Sequence, residues 1–143
     1  MTCPFCDNQE LDYRLIHKDK LVMAFPTNIS IVPGHTLICP VRHVSKIDEL
    51  TDDELIALKQ LIIKIKNSLA KSYKAEGFNL AWNEGETAGQ SVNHLHVHVL
   101  PRKSGDSGVY QYEPREFLYW KELRDKSSEQ ELNKVAELIK KSL

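Results

Sequence analysis

The chain has 143 residues and a formal net charge of −1, from 19 Lys and Arg against 20 Asp and Glu. Hydrophobic residues make up 41% and charged residues 27%, which excludes a disordered or fibrous chain and predicts one domain over residues 1–143. Because there is no basic excess to hold a phosphate backbone, and no apolar run approaches about 20 residues, we expect neither polymeric nucleic acid nor a membrane as a partner.

The N-terminal stretch MTCPFCDNQE contains two of the three cysteines, Cys3 and Cys6. It lacks the basic and apolar regions of a signal peptide, so we expect a cytoplasmic location, where disulfides are disfavoured. The pair is therefore interpreted as metal ligands or as free thiols, at the spacing of half a zinc site. A thioredoxin-like redox motif needs a preceding strand, for which position 3 leaves no room. Cys39, within an apolar run, is predicted to be a buried apolar side chain.

Two short strands are predicted by KLVMAF at 20–25 and HTLICPV at 35–41. Pro33 and Gly34 between them indicate a tight turn. We therefore expect the two strands to be antiparallel neighbours.

From Thr51 the apolar residues recur every three or four positions, which predicts a long amphipathic helix that ends at Gly77. Thr51 and Glu54 have the spacing of a capping box, and Ser128 and Glu131 open a C-terminal helix in the same way. The apolar positions are Leu55, Leu58, Leu61, Ile62, Ile65 and Leu69 in the long helix, and Leu132, Val135, Leu138 and Ile139 in the C-terminal one.

Two further strands are predicted after the long helix. FNLAWN at 78–83 alternates apolar and polar residues, so Phe78, Leu80 and Trp82 should form a buried face, and NHLHVHVLP at 93–101 should form the second strand. Strands and helices that segregate in this way favour an α+β fold over a parallel βαβ fold. We expect an antiparallel sheet with one long amphipathic helix and a C-terminal helix.

The second of these strands has a histidine at every second position: His94, His96 and His98. Residues two apart share a face, so the histidines should face a cleft or solvent while Leu95, Val97 and Val99 anchor the strand in the core. One ion held by all three is geometrically poor, since the outer Cα atoms lie about 13 Å apart and Zn–N bonds measure about 2 Å. Simple packing would need partners for six ring nitrogens. Chemistry on phosphate remains, with a central imidazole as nucleophile and its neighbours as hydrogen-bond donors or acids.

The loop EGETAGQSV at 84–92 precedes the histidines. Gly85 and Gly89 would let backbone N–H groups approach an anion, and Gln90 and Ser91 add neutral donors. The alternative is a plain turn between strands.

The row HLHVHVL resembles the histidine triad superfamily, defined by His-x-His-x-His-x-x with apolar x. The similarity extends through AGQSVNHLHVHVLPR and VPGHTLICPVRHV and covers most of residues 15–103. The resemblance implies a homodimeric α+β fold and the transfer or hydrolysis of nucleotidyl groups at phosphorus. The triad and PRKSGD resemble the fragile histidine triad branch, which hydrolyses diadenosine polyphosphates, whereas CPFC resembles bacterial members.

The resemblance also implies roles for individual residues. His96 corresponds to the nucleophile, which attacks the α-phosphate to give a nucleotidyl-histidine, and the backbone carbonyl of His94 would orient its ring. His98 and His35 correspond to phosphate-contacting and acid-base histidines. Thr27 stands where an Asn that touches the ribose is common. Substrate contacts are implied at Thr27, Asn28, Asn83, Gly89, Gln90, Ser91, Val92 and His98.

A structural Zn²⁺ is implied by the zinc-bearing branches of the superfamily. Their ligands correspond to Cys3, Cys6, His43 and His94, a set that leaves no open position for catalysis. We expect no organic cofactor. His17 is predicted to be an ordinary surface residue.

We therefore expect a nucleotide hydrolase or nucleotidyl transferase. Dinucleoside polyphosphates such as diadenosine tetraphosphate are the leading substrates and nucleoside phosphoramidates the second. A nucleotide-binding sensor with little turnover, and a metallohydrolase that uses the histidine row directly, are the alternatives. The aromatic stretch YQYEPREFLYW at 110–120 should pack across a dimer interface or stack on a base. Arg102 and Lys103 are expected to be solvated surface charges or to aid a polyphosphate.

Overall fold

The computed structural model describes residues 3–106 and 126–143, which form an antiparallel sheet and three α-helices. The strands are β1 (His17–Lys18), β2 (Val22–Pro26), β3 (Thr36–Pro40), β4 (Gly77–Ala81) and β5 (Val97–Arg102), in the spatial order β1-β2-β3-β5-β4. The helices are α1 (Asn8–Leu11), α2 (Asp52–Ser72) and α3 (Glu129–Lys140). The predicted α+β class is confirmed. Within the described residues, no helix combines the length and apolar character needed to cross a membrane.

The predicted pairing of β2 with β3 is confirmed, with Met23 opposite Cys39. The turn before β3 depends on Gly34, whose φ is +87°, a conformation that favours glycine. A Cβ there would also lie 3.0 Å from both Pro101 and Tyr73. Cys39 is fully buried, as predicted, and burial raises the pKa of its thiol.

Alternate residues of β2 contribute to two different cores on opposite faces of the sheet. Val22 and Ala24 belong to the core beneath α2 and α3, whereas Met23 and Phe25 belong to a second core on the other face. The second core consists of Phe5, Leu11, Met23, Phe25, Leu37 and Cys39. It is the second core that borders the histidine row.

Helix α2 begins as predicted and ends earlier. Thr51 and Glu54 form both hydrogen bonds of the capping box. The helix ends at Ser72 because Lys74 has a φ of +57°, which turns the chain, and Gly77 is the first residue of β4 rather than a helix end.

Two predicted core positions of the helices are wrong. Leu55 is 45% exposed and Leu138 is 43% exposed. The buried stripes run through Glu54, Leu58, Leu61, Ile65, Ser68 and Leu69 on α2 and through Leu132, Ala136 and Ile139 on α3. Leu55 and Leu138 lie beside these stripes and not on them.

The predicted buried face of the strand at 78–83 is also wrong. Leu80 and Trp82 are each 45% exposed, and Phe78 is half-buried. The strand ends at Ala81 and lies at the edge of the sheet. Phe78 packs against the core beneath α2, whereas Leu80 and Trp82 do not belong to that core. The alternation was present in the sequence, but the strand order determines whether a face is covered.

Candidate functional site

The histidine row lies on the segment that enters β5, but the strand begins only at Val97. His94 and His96 therefore precede the ladder, and the predicted strand over 93–101 is wrong at its N-terminal end. The ladder cannot start earlier because the N–H of Leu95 bonds to the carbonyl of Val44, in the loop after β3, at 2.6 Å.

The predicted separation of faces holds in part. Val97 and Val99 are buried in the helix-side core, and His98 lies opposite Leu37 on the other face. The expectation that every histidine faces a cleft or solvent is wrong for His94, which is fully buried, whereas His96 keeps 6% of its surface exposed. His98 is half-buried.

A phenylalanine from the N-terminus explains this burial. The ring centroid of Phe5 lies 5.8 Å from that of His94 and 5.1 Å from that of His96. The row then continues, with 5.0 Å between the rings of His96 and His98 and 5.2 Å between those of His98 and His35. The sequence analysis did not identify Phe5 as a neighbour of the histidines. Its position between Cys3 and Cys6 could have indicated this, because those cysteines were expected to lie near His94.

Hydrogen bonds determine which nitrogen of His96 carries the proton. Its Nδ1 lies 2.7 Å from the backbone carbonyl of His94, and because a carbonyl only accepts, Nδ1 must donate. In the neutral ring the lone pair is then on Nε2, for which the described residues provide no hydrogen-bond partner. Burial lowers the pKa of His96, which favours this neutral form near neutral pH.

The protonation of His98 follows from a second chain of hydrogen bonds. The backbone N–H of Ile31 donates to Nδ1 of His35 at 3.1 Å, so that nitrogen is unprotonated. Nε2 of His35 then donates to Nδ1 of His98 at 2.9 Å. A neutral His98 consequently carries its proton on Nε2, where it is a hydrogen-bond donor.

Four potential metal ligands converge at the other end of the row. The ligand atoms of Cys3, Cys6, His43 and His94 all lie within 4.8 Å of one another. Nδ1 of His94 is 3.4 Å from Sγ of Cys3, and Nδ1 of His43 is 3.6 Å from Sγ of Cys6. Nε2 of His94 donates to the carbonyl of Pro40 at 2.8 Å, which leaves Nδ1 as the lone pair facing the thiols. Two thiols and two imidazoles form a donor set that suits tetrahedral Zn²⁺.

The loop at 84–92 uses its amide side chains to hold its own shape. Gln90 donates from Nε2 to the carbonyl of Ser45 at 3.0 Å and accepts from the N–H of Gly85 at 2.8 Å. Asn83 donates to the carbonyl of Gly89, whose φ is +95°. Ser91 is exposed, and Val92 is half-buried against the second core.

Thr27 and Asn28 lie at the end of β2 next to His35. The N–H of Thr27 donates to the carbonyl of His35 at 3.1 Å, and Thr27 is 9% exposed. The carbonyl of Asn28 accepts from the N–H of Ser127 at 2.8 Å. His17 is outside this site, paired with Asp19 at 2.8 Å.

The expectation of a solvated Arg102 is wrong. Its side chain is 15% exposed and forms a two-pronged ion pair with Asp106, at 2.9 Å for both contacts. A turn at residues 103–106 brings Asp106 back onto the end of β5, while Lys103 is exposed. The predicted aromatic stretch at 110–120 lies outside the described residues.

Comparison with known proteins gives matches to one family. The sequence matches the HIT domain over residues 8–105. An uncharacterized HIT-like protein of Methanocaldococcus jannaschii is 37% identical over 115 residues, which cover 77% of this chain and 86% of that protein. The asymmetrical bis(5'-nucleosyl)-tetraphosphatase of Schizosaccharomyces pombe is 37% identical over 93 residues, 65% of this chain. The match covers 51% of that enzyme, about half its length.

Among solved structures, a Zn-bound histidine triad family protein of Mycobacterium smegmatis has the same fold. The TM-score is 0.75 at 23% identity, over 99% of this chain and 93% of that one.

Proposed function

The chain belongs to the HIT domain family, as its histidine row indicates, and we propose that it cleaves or transfers nucleotidyl groups at the α-phosphate with His96 as the nucleophile. The observation that carries this proposal is the bond from Nδ1 of His96 to the carbonyl of His94, at 2.7 Å. It leaves the lone pair on Nε2, and a neutral imidazole is a competent nucleophile for covalent catalysis.

The reaction would proceed in two displacements. Nε2 of His96 attacks the α-phosphorus, the bond from phosphorus to the leaving group breaks, and a nucleotidyl-histidine forms. Water or another acceptor then attacks the same phosphorus, the P–N bond breaks, and neutral His96 returns. The Nε2–H of His98 is suited to donate to a phosphate oxygen or to the leaving group, and His35 would hold His98 in that tautomer.

The remaining contacts with phosphate would come from the loop at 84–92. Ser91 is exposed and can donate its hydroxyl, and the backbone N–H groups of Ser91 and Val92 can contribute further donors. The N–H of Gly89 already donates to the carbonyl of Glu86 at 3.0 Å, so Gly89 would shape the loop. Asn83 and Gln90 already bond to the backbone, so we propose that they mainly shape the loop.

Dinucleoside polyphosphates, with diadenosine tetraphosphate first, are the proposed substrates. The support is the similarity to the bis(5'-nucleosyl)-tetraphosphatase of Schizosaccharomyces pombe. Nucleoside phosphoramidates are the second class, since their P–N bond would break in the same first displacement.

We propose that Cys3, Cys6, His43 and His94 hold a structural Zn²⁺. The four ligand atoms within 4.8 Å of one another support it, together with the Zn-bound relative. When bound, the ion would cross-link the N-terminus to the segment before β5. His96 and His98 are not among the clustered ligands, which disfavours a metallohydrolase that uses the whole row.

We also propose a homodimer, and the exposed apolar side chains near the edge strand support it. Leu80 and Trp82 are each 45% exposed. Nζ of Lys66 lies 5.5 Å from the ring centroid of Phe78, so α2 borders β4 on this side. Edge strands with apolar neighbours tend to pair with another chain. The cytoplasmic location stays a prediction.

The test is the hydrolysis of diadenosine tetraphosphate by the wild-type protein and by His96→Ala. We expect the substitution to reduce kcat by at least about 1000-fold, as the loss of a nucleophile does in other covalent enzymes. His17→Ala, outside the site, is the matched control and should retain full activity. Turnover that survives His96→Ala would exclude His96 as nucleophile. Nucleotide binding without turnover on any adenylyl ester or amide would favour the sensor.

A further inference from the structure

The side chain of Glu84 connects two loops that border the histidine row. Its Oε2 accepts from the backbone N–H of Ile47 at 2.8 Å and from Nε1 of Trp82 at 3.1 Å. Ile47 begins a 3₁₀ turn directly after the loop that follows β3, residues 41–46. Glu84 is the first residue of the loop at 84–92. The carboxylate therefore joins the end of one loop to the start of the other.

Residues near Ile47 in the sequence do not supply the acceptor for this N–H. Lys46 precedes the 3₁₀ turn and forms no side-chain cap, and the hydroxyl of Ser45 donates to Glu49 at 2.9 Å. The first N–H groups of a helical turn have no partner within the turn. The N–H of Ile47 thus depends on an acceptor 37 residues away. Among the described residues, no Lys or Arg forms an ion pair with Glu84, so its carboxylate is committed to these two donors.

The loop after β3 also positions the backbone next to the proposed nucleophile. The carbonyl of Val44 accepts from the N–H of Leu95 at 2.6 Å. That N–H belongs to the same peptide group as the carbonyl of His94, which accepts from Nδ1 of His96 at 2.7 Å. Because a peptide group is planar, a rotation of its N–H also rotates its carbonyl. A displacement of the loop after β3 would therefore change the hydrogen bond that orients His96.

We propose that Glu84 is a positioning residue for the nucleophile. By binding Ile47, it fixes the loop after β3, and through Val44 that loop fixes the carbonyl that orients His96. This inference rests on the proposed role of His96. A carboxylate repels a phosphate, so Glu84 does not bind the substrate. It contributes a hydrogen-bond acceptor.

The first test measures kcat and KM for diadenosine tetraphosphate in Glu84→Ala. We expect kcat to fall about tenfold, less than the roughly 100-fold that a displacement of about 1 Å can cost, because Gln90 still bonds to the carbonyl of Ser45 in the same loop. KM should change less than about threefold, since Glu84 does not contact the substrate. Glu84→Gln keeps an oxygen acceptor and should retain most of the wild-type kcat.

Glu86→Ala is the matched control. Glu86 is an exposed acid of the same loop, and its side chain forms no hydrogen bond with the described residues. Its substitution removes the same charge and should leave kcat unchanged. A wild-type kcat in Glu84→Ala would overturn the inference. A kcat in Glu84→Gln as low as in Glu84→Ala would also overturn it, because the charge and not the acceptor would then matter.

Ile47→Pro tests the other end of the same hydrogen bond. Proline lacks the N–H but is tolerated at the first position of a helical turn. Lys46 already has an extended backbone, with φ −133° and ψ 155°, as a residue before proline requires. We expect Ile47→Pro to lower kcat about as much as Glu84→Ala, and the double variant to lose no more than either single variant. Additive losses would show that the two residues act separately and would overturn the inference.

The ¹⁵N NMR spectrum of the His96 ring is a readout that a loss of stability alone would not move. At neutral pH we expect the wild type and Glu86→Ala to carry the proton on Nδ1, and Glu84→Ala to show a mixture of the two neutral tautomers. An unchanged tautomer in Glu84→Ala would overturn the inference. The zinc content should be equal in all variants. A loss of zinc in Glu84→Ala that matches the fall in kcat would place the effect at His43 and would also overturn it.

The ring spectrum also separates this inference from the proposed function. If the tautomer of His96 depends on Glu84 but the protein shows no turnover, the proposed hydrolysis fails and the role of Glu84 stands. If turnover requires His96 but neither kcat nor the tautomer depends on Glu84, the proposed function stands and the role of Glu84 is wrong.

Discussion

Removal of the proposed zinc by Cys3→Ser should separate its structural role from catalysis. The four ligands come from the N-terminus, the loop after β3 and the segment before β5, so the ion would join three parts of the chain. A ligand present at 100 times its Kd stabilises the folded state by about 2.7 kcal/mol. For a domain of this size, a loss of that magnitude lowers Tm by about 10 °C.

The assay is metal analysis together with calorimetry, for the wild type and Cys3→Ser, with and without a chelator. We expect about one zinc per wild-type chain and less zinc in Cys3→Ser. Addition of the chelator should lower the Tm of the wild type and leave the Tm of Cys3→Ser unchanged. Cys39→Ser is the matched control, because Cys39 is buried outside the ligand set. This substitution should leave the zinc content unchanged, whatever its effect on Tm. Full zinc retention by Cys3→Ser would refute the ligand assignment. Loss of turnover on chelation, far below the melting temperature, would instead indicate a catalytic metal.

Two further predictions concern stability and assembly. Because the hydrogen bond from Arg42 holds the pKa of Glu54 at about 2, below its usual 4.5, the stability it provides is complete above pH 4.5 and is lost as the pH falls toward 2. Glu54→Gln should therefore lower the free energy of unfolding in urea at pH 7 by about 1 kcal/mol, a small value because Arg42 is half exposed and solvent screens the pair. The difference between wild type and variant should shrink at low pH. A difference that does not depend on pH would contradict the ion pair. The double variant Leu80→Lys with Trp82→Lys should be a monomer in light scattering, where the wild type is expected to be a dimer. Leu55→Lys, at another exposed position, should remain a dimer. If the double variant also remains a dimer, the interface lies elsewhere.

Features that depend on neighbouring residues could be predicted from the sequence. The capping box of Thr51 and Glu54 and the pairing of β2 with β3 follow from short patterns, and the structure confirms both. The resemblance to the HIT family could be recognised for the same reason, because the histidine row and the loop before it are continuous in the sequence. The cluster of Cys3 and Cys6 with His43 and His94 was expected from the resemblance and from no local pattern.

Features that depend on distant contacts could not be predicted. The burial of His94 and His96 comes from Phe5, about 90 residues earlier in the sequence, so no local pattern contains it. Leu80 alternates like a core residue, but its exposure depends on β4 being an edge strand, which only the strand order decides. The ion pair of Arg102 requires a turn that returns Asp106 to the strand.

The position of His96 depends on two anchors that act on opposite sides of it. After His96, the ladder of β5 fixes the chain through pairs such as His98 with Leu37. Before it, the N–H of Leu95 bonds to the carbonyl of Val44, in the same loop that bonds to Gln90 through Ser45. Since the His94 carbonyl that orients the ring belongs to the same peptide group as the Leu95 N–H, a shift of the loop after β3 would rotate the imidazole as well as move the phosphate loop. The irregular backbone before Val97 therefore leaves the His94 carbonyl available to Nδ1 of His96, whereas in a strand continued through His94 that carbonyl would be directed toward a neighbouring strand.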